Sequence, residues 1–406
     1  MAFGRLLDKV CSTMALSGRS YLDHNATSEL RPEARDAMVA AMAAGGNASS
    51  VHAEGRAARG RIESAREEVA SLVGASARNV VFTSGGTEAN ALALAPRFHR
   101  CGETLILDRL LVSAIEHPCV LEGARFPADR IERIPVLASG VVDLGWLESR
   151  LAQASAAGER VMVSLQAANN ETGVIHPVRA AAELAHVSGG VLHCDAVQAV
   201  GKIGFSMAES GADLAALSAH KIGGPQGVGA LVMGGGLQIA DRMMRGGGQE
   251  RGARSGTENG PGIAGFGAAA RAVREAGTAE RERVRALRDK LEAELIALAP
   301  EAVIFGAEAQ RLPNTTLVSL SGLRAETALI ALDLAGVAVS SGAACSSGKV
   351  KRSHVLDAMG VEQDLAAGAI RVSFGWNSGD EDVIRFLGAF AKLKETLHQR
   401  LGRAAA

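Results

Sequence analysis

Short apolar runs that alternate with helical patterns constrain this chain more than any other feature. Val80 to Thr83, Leu111 to Ala114, Val161 to Gln166, Val191 to His193, Leu214 to Ser218 and Ala230 to Met233 are brief and mostly unalternating. Strands of that kind are covered on both faces. Helical stripes lie between them. Ile62, Ala65, Val69 and Leu72 share one face, with Arg and Glu on the other. The alternation predicts an α/β domain with a mostly parallel sheet. A helix predicted over Ala279 to Ala299 stops at Pro300 and leads into a smaller α+β unit. That unit has strands at Thr316 to Leu320, Val337 to Ser340 and Ile370 to Phe374. Its helices run from Glu326 to Leu334 and from Asp380 to Leu401. The boundary between the two units is expected near residue 275.

Composition removes whole classes of function. The 406 residues suggest about two or three domains. With 47% apolar and 21% charged residues, the chain is not disordered, collagenous or a coiled coil throughout. Its apolar runs fall well short of the ~18 residues that read as a membrane span. Lys plus Arg is 43 against 44 for Asp plus Glu, so no electrostatic case exists for nucleic acid as a partner. Five cysteines (Cys11, Cys101, Cys119, Cys194 and Cys345) are scattered, none at C-x-x-C spacing. A disulfide framework and a Cys-rich metal centre are therefore not expected, and a reducing compartment is. The first twenty residues lack an apolar stretch of signal-peptide length, which favours a cytoplasmic location over secretion or an organellar matrix.

Four segments carry chemistry. Thr83-Ser84-Gly85-Gly86-Thr87-Glu88 ends a strand, turns on two glycines and starts a helix. Helix-start amides and the Thr87 hydroxyl suit a phosphate, although a plain cap by Ser84 or Thr87 would read the same way. Ser218-Ala219-His220-Lys221 places a lysine at a strand end, where burial makes a Schiff-base nucleophile; the alternative is a lysine that reaches solvent. In His193-Cys194-Asp195-Ala196-Val197-Gln198 a carboxylate follows an apolar strand. It suits a protonated ring nitrogen, or a simple helix cap. Finally, Ser340 to Gly348 sets Cys345 among small residues, with Lys349, Lys351 and Arg352 behind it. Nearby cations favour thiolate over thiol. Phosphate cradle, ring-nitrogen carboxylate and Schiff-base lysine together are what a pyridoxal phosphate enzyme needs.

The chain also resembles the cysteine desulfurases of the NifS/IscS type, within the class V aminotransferase-like enzymes. The resemblance runs from Tyr21 to Gly375. It is carried by Tyr21-Leu22-Asp23-His24-Asn25-Ala26-Thr27, Gly46 to His52, Glu116-His117-Pro118, Asn169-Asn170-Glu171-Thr172-Gly173 and Gly246 to Asn259. It implies a type I pyridoxal-phosphate transferase fold. Residues 31–275 would form the large cofactor domain, and 1–30 with 276–406 the small domain that carries the catalytic cysteine loop. Lys221 would carry the cofactor. Asp195 would pair the ring nitrogen, Gln198 the ring hydroxyl, and His117 would stack on the ring and move protons. Asn170 would support ring and substrate. Gly86, Thr87, Ser218 and His220 would hold the phosphate, joined by Thr257 from a second subunit of a homodimer. Arg371 and Asn47 would clamp the substrate carboxylate, with a surface ion pair as the alternative for Arg371. Cys345 would take the sulfur as a persulfide. Ala48 and Arg352 stand where the family often has proline, and the segment after Cys345 fits the long-loop group.

The implied activity is conversion of L-cysteine to L-alanine, with sulfur passed to an acceptor such as an iron–sulfur scaffold for cluster assembly. No resident metal is implied; Cys345 would meet a cluster only in transit. Selenocysteine lyase, another class V transaminase and a non-catalytic scaffold subunit of a sulfur-transfer complex are the competing readings. The other four cysteines read as structural or incidental.

Overall fold

The computed structural model describes residues 18–123, 125–234, 236–342 and 352–404. A seven-stranded sheet forms the centre. Its order is Val80–Thr83, Gly229–Met233, Leu214–Ser218, Val191–Asp195, Val161–Ser164, Arg109–Ser113 and Ile131–Ile134. The last four pairings in that order are parallel, and both pairings of Gly229–Met233 are antiparallel. Thr83 and Ser218 both sit opposite Gly229. Six strands therefore present their carboxyl ends at one edge, which is where sites gather in open α/β sheets. Four strands, the edge strand Val80–Thr83 among them, are buried along their whole length, which explains their unbroken apolar runs.

Four apolar clusters are buried among the described residues, and the two largest divide the chain. One lies against the large sheet and is rich in Ala and Val, from Ala34 and Ala65 to Ala270 and Val273. The other is built from Leu and Phe. It joins Leu22 to Leu291, Leu295, Phe374, Phe386 and Phe390, so a residue near the amino end packs with the carboxyl-terminal region. Around that second core, Val303–Ile304, Thr315–Ser319, Ile370–Ser373 and Ser340–Ser341 pair antiparallel in that order. Ser20–Tyr21 pairs parallel with Val337–Ala338.

Helix Gly260–Leu298 links the two cores. It starts well before the predicted Ala279, because its first half packs Gly, Ala and Phe266 rather than a leucine stripe. Gly277 breaks it with φ +58°, a left-handed conformation that glycine adopts without steric cost. The break falls next to the boundary expected near 275. A small three-stranded sheet of Arg97–Arg100, Glu103–Ile106 and Leu237–Ile239 was not anticipated. Its strands are half exposed and interrupted by polar or charged residues, so they lack the apolar run that marks the others.

Candidate functional site

A cavity of about 280 Å³ opens at the carboxyl edge of the large sheet. Gly86, Thr87, His117, Asn170 and Asp195 line it, with Gln198, Ser218, His220, Lys221 and Arg371. These residues come from six separate stretches of sequence, and the strand ends bring them together.

Helix Gly86–Ala93 begins at Gly85, which provides no side-chain cap. Neither Ser84 nor Thr87 caps it. Instead Glu88 accepts from the Ser84 amide at 2.7 Å. The first amides of the helix are left to face the cavity without partners inside the helix. A Cβ on Gly86 would lie 2.9 Å from Val197 Cγ2 and 3.4 Å from Ser218 Cβ. Glycine is what lets this helix start close against the strand end. Thr87, Ser218 and His220 add hydroxyl and ring donors beside it, a set that suits a phosphate.

Asp195 ends its strand and is 8% exposed. Oδ1 accepts from the Val197 amide at 3.0 Å and Oδ2 from Asn90 Nδ2 at 2.8 Å. The local turn bond is the one a helix cap would make, but the Asn90 bond is not. The side chain is held on both oxygens, and each oxygen keeps a lone pair for a protonated ring nitrogen.

Lys221 does not reach away to solvent. Its Nζ donates to Asn25 O at 2.6 Å and Ala26 O at 2.8 Å. Gln198 Nε2 donates to the same Asn25 carbonyl at 3.0 Å. Lys202, which sequence reasoning missed, donates to Asn25 Oδ1 at 2.7 Å and to Gln198 Oε1. Burial drives its amine well below the usual lysine range, with Lys221 and Arg371 adding to the effect. No sequence signal marks Lys202, because Gln198 to Lys202 is a series of turns and not a helix, so the spacing of four has no periodic meaning. Asn90 follows Thr87 by three residues on one helix, so it faces the same cavity.

His117 caps the short helix Pro118–Leu121. Burial lowers its pKa, Lys221 and His354 lower it further, and Asp195 opposes them. His220 is lowered to about 4, first by burial and then by Lys221 and Lys202. Both rings therefore favour the neutral form at pH 7.

Arg371 is buried, so it is not a surface ion pair. Nη2 donates to Asp23 Oδ1 at 2.7 Å and Nη1 to Asn170 O at 3.0 Å. Nε is buried without a hydrogen-bond partner among the described residues. Asn47 does not join it. Asn47 and Thr257 line a separate cleft of about 280 Å³ with Gly45, Gly46 and Arg61. Cys345, Lys349 and Lys351 lie outside the described residues; the flanking Gly342 and Ser353 both approach Glu171. Ser353 Oγ donates to Glu171 Oε2 at 2.6 Å, and a Cβ on Gly342 would lie 3.0 Å from the same oxygen. No group of three or more potential metal ligands occurs among the described residues, and no helix there is long and apolar enough to cross a membrane.

Comparison with known proteins agrees with this geometry. The profile of the family "Aminotransferase class-V" matches residues 20–386. A cysteine desulfurase of Gluconacetobacter diazotrophicus is 41% identical over 399 residues, 95% of this chain and 97% of that protein. "Cysteine desulfurase IscS" of Anaeromyxobacter sp. is 40% identical, covering 89% of each chain. The crystal structure of a NifS-like protein from Rickettsia africae superposes with a TM-score of 0.82 at 34% identity, covering 93% of this chain and 99% of that one.

Proposed function

We propose that this chain, which belongs to the class-V aminotransferase family, is a pyridoxal-phosphate-dependent cysteine desulfurase. The observation that carries the reading is the convergence of Lys221, Asp195 and the Gly86 helix start on one cavity, in a chain 41% identical to a cysteine desulfurase.

The residues present fit pyridoxal phosphate. Thr87, Ser218, His220 and the uncapped amides after Gly85 would hold the phosphate, and Asp195 the ring nitrogen. Lys221 would bond the aldehyde, and Gln198 would face the ring hydroxyl. When bound, the cofactor supplies an electron sink for the bond breaking at the substrate Cα. Everything else falls to the chain. Arg371 lines the cavity, fixed by Asp23 and Asn170, and offers the remaining protons of its guanidinium to the substrate carboxylate. The Lys221 amine takes the Cα proton as general base. His117, neutral and beside the cavity, exchanges a proton through Nε2.

The Cys345 thiolate then attacks the substrate sulfur. The carbon–sulfur bond of cysteine breaks, a sulfur–sulfur bond forms on Cys345, and a proton returned to the carbon completes alanine. Thiol exchange passes the outer sulfur to an acceptor, and the name of the Anaeromyxobacter relative favours iron–sulfur cluster assembly as the destination. Asn47 and Thr257 share one cleft away from the cavity, so both are assigned to the site of a second subunit in a homodimer. We place the large domain at 31–275 and the small one at 1–30 with 276–406, in a cytoplasmic enzyme.

The test is alanine formed from L-cysteine by wild type and Cys345→Ser. Alanine from the wild type and almost none from the variant supports the reading. Equal alanine from both removes Cys345 from the reaction and turns the assignment to selenocysteine lyase.

A further inference from the structure

Cys119 reads as incidental in the sequence, yet its side chain sits against the cavity. It follows His117 by two residues across Pro118. The backbone amide of Cys119 donates to His117 Nδ1 at 3.2 Å. An amide N–H can only donate, so Nδ1 must present a lone pair. Cys119 Sγ lies 3.0 Å from the same Nδ1. Burial pushes this thiol up to about 12, with Asp195 adding to it, so it keeps its hydrogen at neutral pH. On its other side the sulfur accepts from Asn90 Nδ2 at 3.4 Å, and the same amide donates to Asp195 Oδ2 at 2.8 Å. The Thr87 hydroxyl also faces the sulfur as a donor; with Asn90 and Thr87 both donating to it, the thiol hydrogen is left to the imidazole. A polar chain thus runs from Asp195 through Asn90 and Cys119 to His117.

We propose that Cys119 is a positioning residue, whose thiol and backbone amide together fill His117 Nδ1 and fix the imidazole proton on Nε2. The sequence of donors leaves His117 one working nitrogen and makes its neutral form the stable one. What His117 does with that proton rests on the desulfurase reading; the tautomer does not. The groups that face the ring are Asp195, Lys221 and His354. Glu116, next in the chain, accepts from the Gln166 amide, and its backbone carbonyl bonds His354 Nε2 at 2.9 Å. None of these supplies a second donor to Nδ1.

The experiment is nitrogen NMR on full-length, cofactor-loaded protein carrying ¹⁵N-histidine, with the His117 signal assigned by its loss in His117→Gln. Wild type is expected to show the Nε2-protonated tautomer and a midpoint below 6.5. Cys119→Val fills the same space without a donor, and its midpoint should rise by about half a unit or more, roughly threefold in proton affinity. Cys119→Ser keeps a donor and should stay with the wild type. A Val variant that matches wild type overturns the proposal, and so does a Ser variant that rises with Val. Both would give residue 119 a packing role only. An Nδ1-protonated signal in the wild type overturns it without any variant. Alanine formation by the same wild-type sample reports separately on the desulfurase reading.

Discussion

Lys221 and Lys202 approach the same residue, Asn25, from different surroundings. Lys221 lines the cavity of about 280 Å³ at the carboxyl edge and also borders the smaller pocket behind it. Lys202 faces only a pocket of about 40 Å³ behind it, between His24, Asn314 and Trp376. By titration alone Lys202 looks like the nucleophile, because burial drives its amine well below the usual lysine range. Its amine, however, is held between Asn25 Oδ1 and Gln198 Oε1, with no room beside it for a substrate. A perturbed group becomes a functional one only where a ligand-sized space adjoins it.

Four variants break or sharpen that contrast. Lys221→Ala should lower alanine formation from L-cysteine by about 10²–10⁴-fold, the range lost with a general base. An equal loss in Lys202→Met would erase the distinction between the two lysines. Next in size is a stability effect at Glu171, another buried ionisable group away from the cavity. Burial raises its pKa from 4.5 to about 7, against the Ser353 hydrogen bond and the Arg371 charge. The folded state therefore holds the extra proton between those values. Its contribution to stability is full below pH 4.5 and is lost as the pH rises through 7, by up to roughly 3 kcal/mol. Urea unfolding at pH 5 and pH 8 should show that slope in wild type and not in Glu171→Gln; a shared slope would contradict it.

Arg371→Gln comes third. Loss of a charged hydrogen-bonding partner should lower kcat/KM for L-cysteine about tenfold or more, mainly through KM. An unchanged KM would return Arg371 to a structural role with Asp23. Lys202→Met is the smallest. It removes bonds to Gln198 and Asn25 and should cost about two- to tenfold in activity, the worth of one ordinary hydrogen bond.

The same contrast explains what the sequence discloses. The strands buried on both faces, Val80–Thr83 and Leu214–Ser218, read with their observed bounds because burial demands an unbroken apolar run. Residues at their carboxyl ends, such as Asp195 and Lys221, stand out because a charge directly after such a run is unusual. Asn25, Asn90, Cys119 and Lys202 carry no such mark. Each is an ordinary residue until the fold supplies its neighbour. Asn25 meets Thr315 and Asn314 across almost three hundred residues of sequence. The half-exposed strands of the small sheet and the alanine-rich start of Gly260–Leu298 were hidden for a related reason. Both pack through small or charged residues, which leave little hydrophobic period to detect.

The central claim is that Lys221, which alone of the two lysines lines the carboxyl-edge cavity, bonds the cofactor. The direct measurement is borohydride reduction of the cofactor-loaded enzyme, followed by peptide mass mapping of the stable secondary amine that results. The account predicts the adduct on Lys221 alone, lost in Lys221→Ala and retained in Lys202→Met. An adduct on Lys202 would contradict it.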